Sequence, residues 1–170
     1  MTRKMAQALN KQVNAEFFAA YLYLAMSADA DQMGLKGTAH WFALQAQEET
    51  THALRIYNYL LRTGQKVNLD AIEKPKGSFK SMKGLFEAAL GHEKKVTAMI
   101  QNLASLAQTE KDFATGIEMQ WFVSEQIEEE ENVNEILNKI QLAHDAPGAV
   151  FMIDNELAGR AQAPAAGAAE

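Results

Sequence analysis

Glu49 and His52, in the run Glu48-Glu49-Thr50-Thr51-His52, stand one helical turn apart at seats where an apolar core is expected, so two potential metal ligands point inward together. Glu16, Glu93, Gln126 and Glu129 share the anomaly, each interrupting an otherwise apolar stripe. An ionised carboxylate in apolar surroundings is costly enough that it takes up either a proton or a partner. No Lys or Arg lies on any of these stripes, so the compensating charge must come from protons, from long side chains reaching in, or from bound cations. Two divalent ions would balance the carboxylates of Glu16, Glu49, Glu93 and Glu129. A site rich in carboxylate oxygen with a single imidazole suits iron, manganese or, less selectively, zinc, whereas calcium seldom takes a histidine.

Helical periodicity supplies the elements that must hold these residues. Four long segments keep a three-four alternation of inward seats over several turns. The first runs from about Lys4 to Met33, with Ala6, Leu9, Val13, Glu16, Ala20, Tyr23 and Ser27 on its stripe, and stops near Gly34. The second, about Thr38 to Thr63, aligns Phe42, Gln45, Glu49, His52, Ile56 and Tyr59 and ends at Gly64. The third, about Ser81 to Thr109, aligns Met82, Phe86, Ala89, Glu93, Val96, Ile100, Leu103 and Ala107. The fourth takes Asp112 as N-cap and runs to about Ala143, with Met119, Phe122, Gln126, Glu129, Val133, Ile136 and Ile140 inward. The links Gly34 to Gly37 and Glu110 to Lys111 are short and make antiparallel neighbours. Gly64 to Lys80 is long; its roughly 17 residues reach about 55 Å extended, more than the ~40 Å of such a helix, so it can cross from one end of a bundle to the other. The fold expected is all-α: a four-helix bundle with one long crossover between helices 2 and 3. A short fifth C-terminal helix, from Ala149 to Leu157 after Pro147-Gly148, lies outside it.

Counted from each helix start, Glu16 lies about 12 residues in, Glu49 and His52 about 11 to 14, Glu93 about 12, and Gln126 and Glu129 about 14 to 17. Whichever way the helices run, mid-height positions on inward stripes meet in one layer. Taken alone, Glu49 and His52 are explained by a buried hydrogen-bonded pair, and Glu16 or Glu93 by drift toward solvent; the coincidence on four helices at one height is what points to a metal site. Glu48, Glu125 and Glu128 sit beside the layer, and the acidic run from Glu128 to Glu131 reads either as a solvated helix face or as part of a third cation site. Tyr23, two turns beyond Glu16, is placed either as a phenol near the metals or as a packing residue. Trp121 is read as packing, and His40, His92 and His144 fall off the stripes and are read as structural or surface residues.

Composition narrows the function classes. The chain has 170 residues, 48% hydrophobic and 22% charged, with a net charge of −6, which makes it a poor partner for nucleic acid. Cysteine is absent, so thiolate metal sites, thiol nucleophiles and disulfides are excluded. The N-terminus lacks the apolar core of a signal peptide and no stretch reaches the ~18 apolar residues of a membrane span, so a cytoplasmic protein with no membrane partner is expected. Residues 1–160 are read as one domain, and the Ala/Pro/Gly-rich residues 161–170 as a disordered tail.

The pattern resembles the prokaryotic non-haem ferritins of the ferritin-like di-iron superfamily over about residues 1 to 160. The resemblance is carried by Asn14-Ala15-Glu16 with Tyr23, Glu48-Glu49-Thr50-Thr51-His52, His92-Glu93-Lys94, Ser124-Glu125-Gln126-Ile127-Glu128-Glu129 and Phe151-Met152-Ile153-Asp154. The superfamily's symmetric template has Glu-x-x-His on two helices; here the second is replaced by Gln126-x-x-Glu129, which fits ferritins better than haem-containing relatives, so no haem is expected. The resemblance implies a ferroxidase and iron store in a hollow homo-oligomeric shell of 24 subunits, whose fifth helix packs about a four-fold axis. It implies that Glu16, Glu49 and His52 hold one iron and that Glu49, Glu93 and Glu129 hold the other. Glu49 would bridge, Gln126 would be a weak ligand or a support, and Glu48, Glu125, Glu128 and Glu129 would form a third site. Fe(II) would be oxidised by dioxygen or hydrogen peroxide and deposited as ferric mineral. Two alternatives remain at this stage: a di-iron stress protein that consumes peroxide without storing mineral, and a helical structural or binding protein whose inward polar groups only hydrogen-bond to one another.

Overall fold

The computed structural model describes residues 1–75, 77–144 and 146–161; the expected disordered tail lies outside them from residue 162 onward. Helices α1 (Arg3–Gln32), α2 (Lys36–Arg62), α3 (Met82–Thr109), α4 (Phe113–Leu142) and α5 (Pro147–Ala158) account for the regular structure, and no strand occurs among the described residues. Their ends follow local chemistry. The side chains of Thr2, Ser81 and Asp112 accept hydrogen bonds from Met5 N, Gly84 N and Thr115 N, which caps α1, α3 and α4. Gly34 and Gly64 close α1 and α2 in the left-handed region, at φ 80° and 70°, where a side chain would be strained. Pro147 opens α5, where its missing N–H costs nothing.

Two apolar clusters fix the helix directions. One gathers Met5, Leu9 and Val13 from the start of α1 with Ile56 and Leu60 late in α2, Val96 to Ala107 late in α3, and Met119 and Phe122 early in α4. The other joins Tyr23, Met26 and Ala30 late in α1 to Trp41, Phe42 and Ala46 early in α2, Leu85, Phe86 and Ala89 early in α3, Val133 to Ile140 late in α4, and Ile153 and Leu157 of α5. The paired ends show α1 and α4 running one way and α2 and α3 the other. The link from Gln65 to Lys80 must therefore traverse the bundle, and α1 guides it. Asn10 Nδ2 donates to Lys66 O (3.1 Å) while Asn10 Oδ1 accepts from Asn68 N (2.6 Å). Asn14 Nδ2 donates to Ala71 O (3.4 Å), and Asp29 Oδ2 accepts from Phe79 N (3.1 Å). The expected architecture is therefore the observed one.

Every stripe residue expected on α2, α3 and α4 is buried. On α1 the seam is shifted slightly, with Met5 and Met26 buried in place of Ala6 and Ser27. Between the two clusters lies a polar layer: Gln12, Glu16, Gln45, Glu49, His52, Glu93, Gln126 and Glu129, each at most 4% exposed.

Candidate metal centre

Each helix brings its polar residues to the layer because apolar neighbours one or two turns away on either side are locked into the clusters above and below. Glu16 sits between Val13 and Tyr23, Glu49 and His52 between Phe42 and Ile56, Glu93 between Ala89 and Val96, and Gln126 and Glu129 between Phe122 and Val133. Register, once fixed by packing, leaves these carboxylates nowhere else to point.

Gln12 Nε2 donates to Glu16 Oε1 at 2.9 Å. The other oxygen, Oε2, has only the carboxyl of Glu49 beside it, which must carry a proton to donate to it. His52 Nδ1 lies 3.5 Å from Glu49 Oε2 and His52 Nε2 lies 3.8 Å from Glu125 Oε1, both too long for a good hydrogen bond. Two sets of ligand atoms gather within 4.8 Å of one another: Glu16, Glu49 and His52, all buried, and His52, Glu125 and Glu129. Ligands around one ion with bonds of about 2 Å stand about 3 to 4 Å apart, so both sets suit a small divalent cation. Glu93 is in neither close set; its carboxylate receives the Tyr23 hydroxyl at Oε1 and Gln126 Nε2 at Oε2, the latter at 3.2 Å. Gln126 Nε2 also lies 3.3 Å from Thr97 Oγ1.

Of the residues singled out beside the layer, Glu125 reaches it with its side chain 21% exposed. Glu128 lies on the exposed face, and Glu48 turns to Arg160 instead of joining a close set. Tyr23 is fully buried, stacked on Phe42 and hydrogen-bonded to Glu93. Trp121 meets His52 edge-on at 5.4 Å and carries the Arg55 guanidinium 3.9 Å from its ring centroid. His40 is exposed, and His92 packs against Phe18 and Tyr23.

Electrostatics follow from that crowding. Burial, reinforced by the neighbouring carboxylates, holds the Glu49 and Glu129 carboxyls well above the usual range. Burial also raises Glu16 against the opposing hydrogen bond from Gln12, and raises Glu93 against those from Tyr23 and Gln126. The Tyr23 phenol is pushed far up by burial and by the Glu93 charge. Without cations these carboxyls are biased toward their protonated forms, and cations would compete with the protons.

Three supports escaped the sequence reading. Gln12 is signalled only as a polar residue one turn before Glu16. Gln45 was visible on its stripe, but not that its Nε2 donates to Glu129 Oε2 at 2.6 Å. Arg160, beyond the last helix, bonds both Gln45 and Glu48, and no periodicity announces it.

Comparison with known proteins agrees with this geometry. A ferritin-like domain family model matches residues 6–143. A non-heme ferritin-like protein of Haemophilus influenzae is 37% identical over 157 residues, covering 92% of this chain and 95% of that protein. The bacterial non-heme ferritin of Staphylococcus aureus is 36% identical over 160 residues, covering 94% and 96%. Among solved structures, an open-pore ferritin of Archaeoglobus fulgidus superimposes with a TM-score of 0.93 at 40% identity, over 95% of this chain and 99% of that one. With five helices in the same arrangement and a carboxylate-histidine layer at mid-bundle, the chain belongs to the ferritin family, among its non-haem members.

Proposed function

We propose that this protein oxidises Fe(II) at the mid-bundle layer and stores the product as ferric mineral inside a shell built from copies of itself, 24 in the full assembly, in the cytoplasm. The observation that supports the reading best is the gathering of buried Glu16, Glu49 and His52, whose ligand atoms lie within 4.8 Å of one another. Iron is substrate here, not a resident cofactor. Glu16, Glu49 and His52 receive one Fe(II); Glu49, Glu93 and Glu129 receive the second, with Glu49 shared and Gln126 supporting Glu93. Each Fe(II) gives up one electron; dioxygen taking two electrons and two protons leaves as hydrogen peroxide, and peroxide taking two more of each leaves as water. The protons held by the raised carboxyls are released as cations enter. Tyr23, hydrogen-bonded to Glu93, fixes that carboxylate and lies where a one-electron donor would be useful. Glu48, Glu125, Glu128 and Glu129 form a third position on the way to the mineral.

Anaerobic loading of the assembled apoprotein followed by oxygen should give rapid ferric absorbance. In Glu49→Ala and His52→Ala the rate should drop by about a hundredfold with helicity and particle size unchanged, consistent with the cost of losing ligands or their supports. Rates equal to the parent's would overturn the reading. Iron retained per particle after repeated loading distinguishes storage from peroxide consumption alone.

A further inference from the structure

Arg160 follows α5, which ends at Ala158, and its side chain returns to α2. The guanidinium lies 4.7 Å from the Trp41 ring centroid, a face that holds a planar cation well. From there Nη1 donates to Gln45 Oε1 at 2.7 Å and Nη2 to Glu48 Oε2 at 2.7 Å, with the arginine side chain 22% exposed and that of Glu48 19%. The Arg160 carbonyl oxygen lies 3.1 Å from His40 Nε2, which ties the same residue down from its backbone.

A guanidinium can only donate, so the Gln45 oxygen must face Arg160 and its NH2 must face the other way, onto Glu129 Oε2 at 2.6 Å. One arginine thus touches two acidic groups of the centre's outer side, Glu48 directly and Glu129 through Gln45. The close ligand set on that side is His52, Glu125 and Glu129, without Glu48. Glu48 already has its cation, one that belongs to the chain.

We propose that Arg160 is a tethered cation occupying the Glu48 carboxylate, and thereby a specificity-determining residue of the third cation position. An incoming metal ion gains Glu48 as a ligand only by displacing the guanidinium. This rests on reading Glu48, Glu125, Glu128 and Glu129 as that position. The competition keeps the third position weaker than the paired one, so an ion there is passed on instead of retained.

The test is calorimetric titration of the assembled apoprotein with Zn2+ alone, resolving a tight class from a weak one. Arg160→Gln, which removes the charge, should tighten the weak class about tenfold, the equivalent of one charge-assisted hydrogen bond, and leave the tight class unchanged. Adding Glu48→Gln should abolish the gain, and Arg160→Lys should return the weak class toward the parent's affinity. A weak class unchanged by Arg160→Gln, or a gain that survives Glu48→Gln, overturns the proposal; absence of the tight class in the parent protein overturns the metal-centre reading instead. If the Arg160 variants do not assemble, parent crystals soaked in low and high Zn2+ decide. The guanidinium should remain on Glu48 while only the tight positions are filled and leave it once the third is filled; a filled third position with Arg160 still bonded to Glu48 overturns the proposal.

Discussion

Glu49 would have to ionise with the carboxylates of Glu16, Glu93 and Glu48 as neighbours and with burial against it, and that crowding gives the metal-free protein a definite pH response. Glu16, Glu49, Glu93 and Glu129 all sit above the ordinary value of 4.5 in the folded chain. Below that value both folded and unfolded chains hold these protons; as pH rises past it the unfolded chain releases them first, so unfolding is favoured. The apoprotein's thermal midpoint should therefore fall as pH is raised from about 5 toward 8 at fixed ionic strength. Saturating Zn2+ should reduce that fall, since it binds the ionised native site. Glu49→Gln should flatten the apoprotein profile; a slope as steep as the parent's would show that the layer does not govern it. At this scale the sequence was informative where a residue broke a pattern. A glutamate on an apolar stripe is conspicuous, and Glu16, Glu49, Glu93 and Glu129 all arrive in the layer. Gln12 and Gln45 are less conspicuous, because a neutral amide is tolerated in many environments and its partner is set only when two helices meet.

The element whose anchoring was least legible is α5. Leu35, at the N-cap of α2, offers no side-chain bond, so the first turn of that helix begins with unsatisfied N–H groups. Asp154 of α5 supplies the missing acceptor: Oδ2 takes Gly37 N at 3.0 Å, and Oδ1 takes both Thr38 N and Thr38 Oγ1 at 2.8 Å. A negative charge at a helix N-terminus also complements its dipole. The approach is so close that a Cβ on Gly37 would stand 1.6 Å from the Asp154 carbonyl oxygen. Asp154→Ala should lower stability by about 2 to 4 kcal/mol, the cost of a lost cap and orphaned buried donors. Gly37→Ala should undock α5, read as faster hydrogen exchange across residues 150–158 with α1 to α4 unaffected; protection equal to the parent's in that segment would refute the latch. Periodicity disclosed α2 through α4 almost residue for residue because their inward faces repeat. It could not disclose that α2 lacks its own cap or that Asp154 provides one, since that pairing exists only after the chain has folded back over 116 residues.

Across the whole molecule, apolar side chains remain outside the bundle in groups. Tyr21, Leu24 and Ile72 share one outer groove with Phe17 and Ala20, and Phe151 and Met152 stand 66% and 72% exposed on α5. Grouped exposure of this kind marks surfaces that are covered in an assembly. With this groove as a contact of the proposed shell, Leu24→Arg should yield smaller species than the parent in sedimentation velocity, with circular dichroism unchanged; a particle of the parent's size would place the subunit contact elsewhere. Assembly is faint in sequence because an outward leucine in a helix looks like any other until its neighbours from the crossover are in place. The two apolar clusters, held apart by the polar layer, have a consequence for how the molecule transmits damage. Truncations such as Phe86→Ala and Met119→Ala lie in different clusters and share no direct packing, so in the apoprotein their costs should add to within about 0.5 kcal/mol. Cations clamped at mid-height would tie the two halves together, and the same pair of substitutions would then cease to be additive.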